Sequence, residues 1–530
     1  MPDDVSDDLK SFIDEVVGQY KPLYVAYNHA VWEAAKTGTP AANQAEKDAH
    51  AALLHFWADK DRFLKSKEFQ KENKIDNALD ARQAKLIFLD AAGAQQDEAT
   101  IKKLTELEAE VRQVYYNFRG KVDGKELSDN ELDVVLADSS DSDEVRQAWQ
   151  AGKQVGEEVA SSIRELARVR NEAARSQGYR DFFEKSLVLS EIVEDDLLQL
   201  FAELEEISLK PFKTIKAEID EARAEHFRIK VDALRPWHYG DPFFQEVPKV
   251  GEIDADVFFA EKDPKDLSTA TYDGIGLEVR DILMRSDLYA RKGKDQHAFC
   301  IDMDHEGDIR TLNNLESNHR WNSTLLHELG HAVYDKYVDR DLPWLLRTPS
   351  HTLSTEAIAI MMGSLVNDRA WLTNVLNAPE DIAQRLAEYG EKRERSARLI
   401  FTRWCLVMIN FERRLYQDPQ QDLNQTWWDL VERFQLLRRP DDRDLPDWAA
   451  KIHVALYPVY YQNYQLGYLV SAQWRHFLEK EVGGFVGEQG TGQWLVHRVF
   501  QSGAREDWAK HIVTVTGEPL SPKYFVDSLQ

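Results

Sequence analysis

The sequence of 530 residues has few cysteines, a deficit of basic side chains and no long apolar run. Its two cysteines, Cys300 and Cys405, exclude a disulfide framework, because at most one bridge can form. Lys and Arg number 66 against 93 Asp and Glu, so the formal net charge is −27, and neither nucleic acid nor an anionic membrane is an expected partner. The sequence contains no stretch of about 18 apolar residues, so no membrane-spanning helix is predicted.

The amino terminus also lacks a targeting signal. Met1-Pro2-Asp3-Asp4 is acidic and polar, without the basic and apolar regions of a signal peptide. As written, the sequence predicts a cytoplasmic protein, and a periplasmic or secreted one only if a signal peptide was removed. Hydrophobic residues make up 43% of the chain, which is enough for a large core and excludes disorder as the dominant state. The oligomeric state is open.

Most of the sequence has the apolar spacing of amphipathic helices. In the first 230 residues or so, apolar side chains recur three and four positions apart, and Gly and Pro are scarce. Four long helices are predicted there, at 78–93, 97–118, 143–177 and 194–229. Short polar residues at 139–143 predict a capped helix start. Prolines and aromatics between 234 and 266 mark irregular structure, and helix is predicted again after Trp321.

One segment favours an antiparallel strand pair, the only convincing pair in the sequence. Residues 298–303 alternate between two faces, and 304–308 have the polar and Gly residues of a turn. Residues 309–312 then form the returning strand.

The motif His327-Glu328-Leu329-Gly330-His331 predicts a zinc site. On a helix, two positions four apart lie on one face, so both imidazoles can bind one ion while Glu328 takes a proton from water. The alternative is a coincidental exposed pair of histidines. A helix is expected here because no proline interrupts 324–337 and apolar residues flank the motif.

A catalytic zinc needs a third protein ligand, and the candidate is Glu356. It lies near the start of a second apolar helix, where a carboxylate is otherwise out of place, and prolines at 343 and 349 supply the turn between the two helices. The alternative for Glu356 is a carboxylate in the first turn of a helix, favoured by the helix dipole.

These features resemble, in the same order along most of the chain, the angiotensin-converting enzyme family of zinc dipeptidyl carboxypeptidases. The stretch after the zinc motif is the most specific part of the resemblance, and weaker segments lie in the first helices. The matching segments are Lys294–Ala298, Asp341–Arg347, Thr355–Ile358, Trp427–Leu430 leading to Pro440 and Arg443, Ala450–His453, and, more weakly, Leu23–Asn28 and Asn171–Arg175.

The resemblance implies a mainly α fold. This is a two-lobed helical gluzincin metallopeptidase with a deep central cleft, a small antiparallel β element beside the zinc site and one Zn²⁺ per chain. It also implies a single peptidase unit of two interleaved lobes over 1–530, with lid helices at 1–120. The zinc-binding core is expected at 290–370 and a substrate-binding segment at 440–475. The cysteine and charge counts indicate a bacterial, disulfide-free version.

The resemblance further implies roles for four residues that contact substrate. Lys451 would bind the free terminal carboxylate of an oligopeptide, and His297 with His453 would hydrogen-bond a substrate carbonyl. Ala298 would pair its backbone with the extended peptide, as in strand addition. The alternatives are a surface lysine and structural histidines.

The tyrosine-rich segment 457–464 permits two alignments. The family uses two tyrosines three apart, the first helping to bind the carboxylate and the second donating to the oxyanion. Tyr461 and Tyr464 take these roles if one residue is inserted after His453; otherwise Tyr460 takes the first, and Asn463 falls on the second. We expect Tyr464 to be the oxyanion donor. The alternative is an aromatic stripe in the core.

Three positions depart from the family pattern. The gap from His331 to Glu356 is one residue longer than in the animal enzymes and matches the related thimet-type oligopeptidases. Ile360 replaces an aspartate that supports a zinc histidine, so this support must come from elsewhere. Asn463 replaces an arginine associated with chloride activation, which argues against chloride dependence.

Three functions are therefore compared. The first is a zinc peptidase that releases dipeptides from the free carboxyl terminus of oligopeptides. The second is a thimet-type oligopeptidase, an endopeptidase on the same scaffold. The third is a non-catalytic peptide-binding protein, although the four residues needed for hydrolysis are present.

Overall fold

The computed structural model describes residues 2–71, 75–249 and 253–529, with the side chains from residue 7 onwards. These residues are mostly helical, so the predicted mainly α class is confirmed. In chain order the α-helices are α1 (Pro2–Thr37), α2 (Pro40–Trp57), α3 (Lys60–Lys71), α4 (Ala78–Gly93), α5 (Glu98–Asn117), α6 (Asp129–Asp138), α7 (Ser142–Ser176), α8 (Phe182–Leu189), α9 (Glu194–Phe227), α10 (Asp256–Phe259), α11 (Pro264–Gly274), α12 (Arg280–Arg285), α13 (His319–Tyr337), α14 (Thr352–Gly363), α15 (Arg369–Asn374), α16 (Glu380–Gln417), α17 (Leu423–Gln435), α18 (Ile452–Leu456), α19 (Tyr461–Val482), α20 (Gln489–Trp494), α21 (Trp508–Thr516) and α22 (Lys523–Asp527).

The described strands form two antiparallel pairs. They are β1 (Gly120–Val122) with β2 (Lys125–Leu127), and β3 (Phe299–Asp302) with β4 (Ile309–Leu312).

The four helices predicted from apolar spacing are confirmed as α4, α5, α7 and α9, with ends within two residues of the prediction. The predicted cap is also present, because the Asp141 carboxylate accepts hydrogen bonds from the backbone N–H groups of Asp143 and Glu144. The predicted pair β3–β4 is confirmed, with Phe299 opposite Leu312.

The hairpin β1–β2 was not predicted, and the expectation of one strand pair was wrong. Its two-residue turn is Asp123-Gly124, and both residues have positive φ, 49° and 79°. An Asp-Gly pair is the sequence signal for such a turn. The signal was easy to miss because strands of three residues are too short to show alternation.

The chain divides into two compact units, each assembled from separated segments. The first contains Met1–Gln95, Asp254–Tyr389 and Leu466–Phe525, and the second contains Gln96–Ile253, Gly390–Gln465 and Val526–Gln530. The more detailed division, with lid helices at 1–120, a zinc-binding core at 290–370 and a substrate-binding segment at 440–475, stays a prediction.

In the first unit, α13 packs directly against α14 and beside the β3–β4 pair. The two helices approach closely at Gly330, where an added Cβ would lie 2.8 Å from the Cα of Ala359. Only glycine fits there. The glycine in the middle of the motif therefore brings the backbone of α14 to the helix that carries the two histidines.

Both cysteines are free thiols, as expected. Cys300 lies in β3 and Cys405 is buried in α16. Within the described ranges, no helix combines the length and the apolar character needed to cross a bilayer.

Candidate active site

Helix α13 presents the two histidines and the glutamate of the motif. The helix is capped by Asn318, whose side-chain oxygen accepts a hydrogen bond from the backbone N–H of Trp321 at 2.8 Å. His327 and His331 follow on one face, one turn apart, with ring centres 5.0 Å apart. The prediction that the motif is helical is confirmed.

Helix α14 brings Glu356 to the two imidazoles. The Nε2 atoms of His327 and His331 each lie 3.8 Å from a carboxylate oxygen of Glu356. One donor atom from each of these residues lies within 4.8 Å of the other two. The three predicted ligands are therefore brought together at the start of α14, where the sequence placed Glu356.

The chemistry of these donors fits zinc. Burial lowers the pKa of His327 to about 4 and that of His331 to about 3, so both imidazoles are neutral at pH 7 and have a free nitrogen lone pair. Two neutral imidazoles and one carboxylate are the ligand set of a catalytic zinc with an open position. The close spacing of their donor atoms suits a single small cation.

His331 is oriented by a hydroxyl group from the neighbouring helix. Its Nδ1 lies 2.7 Å from the Thr355 Oγ1, and its Nε2 faces Glu356. The tautomer that leaves Nε2 free to bind a metal carries its proton on Nδ1 and donates it to Thr355. Ile360, which stands where the resembling family has an aspartate, has an apolar side chain and cannot accept this hydrogen bond. Thr355 was not predicted, although it immediately precedes Glu356.

Glu328 lies beside the metal-ligand group and is 7% exposed. Burial raises the pKa of its carboxyl group to about 8, and the nearby Glu356 carboxylate contributes to the increase. A carboxyl group with a pKa near neutrality can both accept and return a proton at physiological pH.

These side chains line a cavity of about 570 Å³ in the first unit. Strand β3 forms one wall, and Ala298, which immediately precedes the strand, also lines the cavity. Asp302 and Asp335 also line the cavity, and burial together with their mutual repulsion raises the pKa of Asp335. Asp335 was missed, although it lies one helical turn after His331 on the same face of α13.

His297 is adjacent to this wall but is almost fully exposed. Its side chain is 94% exposed, and its Nδ1 lies 3.3 Å from the Asp295 carboxylate. It is not among the residues that line the cavity.

The second unit contains Lys451 in a cavity of its own, of about 330 Å³. The ammonium group of Lys451 is buried and donates a hydrogen bond to the side-chain oxygen of Gln245 at 2.8 Å. Gln245 lies in the irregular region rich in proline and aromatic residues, and sequence reasoning did not single it out. Lys153 of α7 lines the same cavity.

His453 and the three tyrosines also lie in the second unit, packed against one another. The His453 ring lies 5.2 Å from that of Tyr461, and burial lowers its pKa to about 4. Tyr461 is buried at 3% exposure, whereas Tyr460 and Tyr464 are 37% and 38% exposed. A buried Tyr461 has the surroundings of a core residue, while the side chain of Tyr464 is accessible.

Comparison with known families places the two halves of the chain in related groups. Residues 280–530, which contain the whole metal-ligand group, match the family model of Peptidase family M3. Residues 4–215 match the family model of Angiotensin-converting enzyme. Together the two matches support a peptidase family related to angiotensin-converting enzyme and family M3. A search of curated proteins found no match.

The peptidase is therefore a hydrolase of the metallopeptidase type, and its substrates are peptides. Both families consist of zinc metallopeptidases, in agreement with the chemistry of the His327, His331 and Glu356 group. The resemblance found in the sequence is confirmed. Neither family match decides between removal of terminal dipeptides and internal cleavage.

Proposed function

We propose that the peptidase is a zinc peptidyl-dipeptidase that releases dipeptides from free carboxyl termini. The observation that carries this proposal is the buried ammonium group of Lys451, held by Gln245 at the edge of a cavity. A buried cation that faces a cavity favours an anionic group, and a peptide with a free terminus supplies one.

In this proposal His327, His331 and Glu356 hold one zinc ion, and Thr355 fixes the orientation of His331. When bound, zinc supplies positive charge that makes a nearby water more acidic, polarises the peptide carbonyl and favours the ionised form of Glu328. Glu328 Oε accepts a proton from the attacking water and returns it to the nitrogen of the departing residue.

The remaining residues bind and orient the peptide. The backbone of Ala298 pairs with the extended substrate, and His297 with His453 donates to a carbonyl between the departing residues. The phenol of Tyr464 donates to the developing oxyanion. Lys451 binds the terminal carboxylate, with Tyr461 or Tyr460 beside it. Asn463, in place of an arginine, argues against activation by chloride.

The role of Glu328 is tested by Glu328→Gln. Gln has nearly the same shape but cannot accept the proton, so we expect zinc content near one per chain and a loss of hydrolysis of about 10³-fold or more. Zinc is measured by elemental analysis, and hydrolysis by mass spectrometry of the products. Hydrolysis at the wild-type rate by this variant would sink the assignment.

The second candidate is an endopeptidase of the thimet type. It is favoured by the match of residues 280–530 to family M3 and by the spacing between His331 and Glu356. A peptide offered as the free acid and as the amide separates the two functions. Loss of terminal dipeptides from the free acid only supports the first, and internal cleavage of both forms supports the second.

A further inference from the structure

Two lysines converge in the cavity of the second unit. Lys153 comes from α7, and Lys451 immediately precedes α18. The side chains are deeply buried, with residue exposures of 3% and 9%. Their ammonium nitrogens lie 3.3 Å and 5.3 Å from the centre of the same ring, that of Phe243. The two nitrogens are therefore separated by no more than the sum of these distances.

Lys153 has no polar partner within the described part of the chain. Among the residues that the structure describes, none makes a hydrogen bond or an ion pair with its Nζ, which contacts the rings of Phe243 and Trp149. Lys451 has one hydrogen bond, to neutral Gln245, and no carboxylate of the described chain within 4 Å. Burial of an ammonium group without an anionic acceptor is unfavourable. Accordingly, burial lowers the pKa of Lys153 to about 7 and that of Lys451 to about 8.

The nearby carboxylates do not fill this need. Asp447, the strongest charge acting on Lys153, accepts hydrogen bonds from Nε and Nη2 of Arg443, and Asp241 accepts those of the backbone N–H groups of Phe243 and Gln245. Asp129 and Asp133 line the cavity but form no ion pair with either lysine. The cavity thus keeps two ammonium groups available for an anion from outside.

We propose that Lys153 and Lys451 together bind one carboxylate group of the substrate. A carboxylate has two oxygens, and each can accept a charge-assisted hydrogen bond of about 2.8 Å, so one group can bridge two ammonium groups that contact the same ring. Gln245 holds Lys451 in position for this contact. The inference rests on the proposed function, because the carboxylate is that of a peptide, and it makes Lys153 a second determinant of specificity.

The carboxylate can come from two parts of a peptide, either the free terminus or an acidic side chain of the last residue. The proposed function favours the terminus. The two sources are separated with three matched peptides of one sequence: a free acid ending in Gln, the amide of that peptide, and a free acid ending in Glu.

The test compares zinc-loaded, full-length wild type with Lys153→Met, which removes the charge and keeps the apolar stem. We expect kcat/KM for the free acid to fall about 10- to 100-fold, the usual effect of losing a hydrogen bond to a charged group, and that for the amide to stay unchanged. Lys185→Met is the matched control, because Lys185 is also a buried lysine of the second unit but lies outside this cavity. Lys185→Met should have the same ratio of kcat/KM for the free acid and the amide as wild type.

Each outcome has a distinct meaning. The two-lysine site is overturned if Lys153→Met keeps two wild-type ratios of kcat/KM: that of the free acid to the amide, and that of the peptide ending in Glu to the peptide ending in Gln. If only the Glu preference is lost, the site holds an acidic side chain, and the terminal source is overturned. If wild type cleaves acid and amide equally, the proposed exopeptidase function fails instead.

A binding measurement keeps the two failures apart. Isothermal titration of Glu328→Gln with an N-acetylated dipeptide, as free acid and as amide, requires no hydrolysis. Addition of Lys153→Met should weaken binding of the acid about 10-fold or more and leave the amide unaffected. Equal affinity with and without Lys153 contradicts the inference, whatever the activity. Lys153→Gln serves in the same experiment if the Met variant does not fold.

Discussion

At the scale of single residues, the hydroxyl group of Thr355 takes over the support that an aspartate gives in the resembling family. It contacts His331 from the residue next to Glu356, so one turn of α14 supplies both a proposed metal ligand and the hydrogen-bond partner of another. A neutral hydroxyl orients the ring but increases the basicity of the imidazole less than a carboxylate would.

We therefore predict that Thr355→Val weakens zinc binding by about 10- to 100-fold, since Val has the same shape but no hydrogen-bond acceptor for the His331 N–H. The affinity is measured by competition with a chelator. Thr355→Ser keeps the hydroxyl and should bind zinc nearly as tightly as wild type. Equal affinities of the Val and Ser variants would contradict this role.

Sequence spacing predicted His327, Glu328 and His331 because a zinc site on a helix requires a fixed period, and Glu356 was predicted as a carboxylate out of place near the start of an apolar helix. It could not predict Thr355 as a partner, because that contact depends on the angle at which α13 and α14 pack. Gln245 was missed for a similar reason. It lies in irregular structure, and its contact with Lys451 joins residues about 200 positions apart.

Glu412 gives a prediction for pH dependence at the same scale. It is fully buried in α16, accepts the backbone N–H of Val459 at 2.7 Å, and its pKa is raised by burial to about 8. The folded protein therefore keeps a proton on Glu412 that the unfolded chain releases near pH 4.5. This contribution to stability is complete below pH 4.5 and is lost as the pH rises through 8.

Glu412→Gln lacks this titration. We expect the stability of this variant, relative to wild type, to be greater at pH 8 than at pH 5. The difference in unfolding free energy between the two pH values is on the order of 3 kcal/mol, and the melting temperature of the variant rises relative to wild type accordingly. Thermal unfolding at the two pH values measures the change. Glu203→Gln, at an exposed position of the same unit, is the control. A difference from wild type that is the same at both pH values would refute the prediction.

At the scale of elements, the zinc-ligand group depends on the contact between α13 and α14. Gly330 lies at the closest point, where an added Cβ would be 2.8 Å from the Cα of Ala359. A side chain at this point must push α14 away and carry Glu356 from the two imidazoles. The motif thus specifies helix packing as well as ligands.

We predict that Gly330→Ala destabilises the protein by about 1–3 kcal/mol through overpacking and weakens zinc binding. Gly18→Ala is the matched control, because Gly18 also lies in a helix of the first unit but has open space around its Cα. That change should be neutral or stabilising by up to about 1 kcal/mol. Thermal unfolding and chelator competition measure both variants. Wild-type zinc affinity in Gly330→Ala would show that the contact tolerates a methyl group.

The element boundaries were predictable where the signal was long. Helices α4, α5, α7 and α9 carry many turns of apolar spacing, and caps such as Asp141 mark their ends. The hairpin β1–β2 was missed because the signal rests on Asp123 and Gly124 alone. Local sequence patterns predict individual helices and strands, whereas the assembly of each unit from three segments depends on contacts between residues far apart in sequence.

At the scale of the whole molecule, zinc should contribute to stability as well as to catalysis. The three proposed metal ligands come from α13 and α14 of the first unit, and an ion that binds only the folded state stabilises it, by about 4 kcal/mol at 1,000 times the Kd. We predict that chelation lowers the melting temperature and that added zinc restores it. Glu356→Gln should show a smaller shift, and a melting temperature independent of zinc in wild type would exclude this linkage.

The segmental construction of the first unit has a consequence for synthesis in the cell. Its first segment ends at Gln95 and its last begins at Leu466, so at typical translation rates of 5–20 residues per second the early helices wait about 20 to 75 s for their last partners. During this interval contacts between the first and last segments, such as the hydrogen bond from Arg82 Nε to the backbone carbonyl oxygen of Ala504, cannot form. The nascent chain is therefore a natural client for chaperones, and a premature stop late in the message would leave an aggregation-prone fragment.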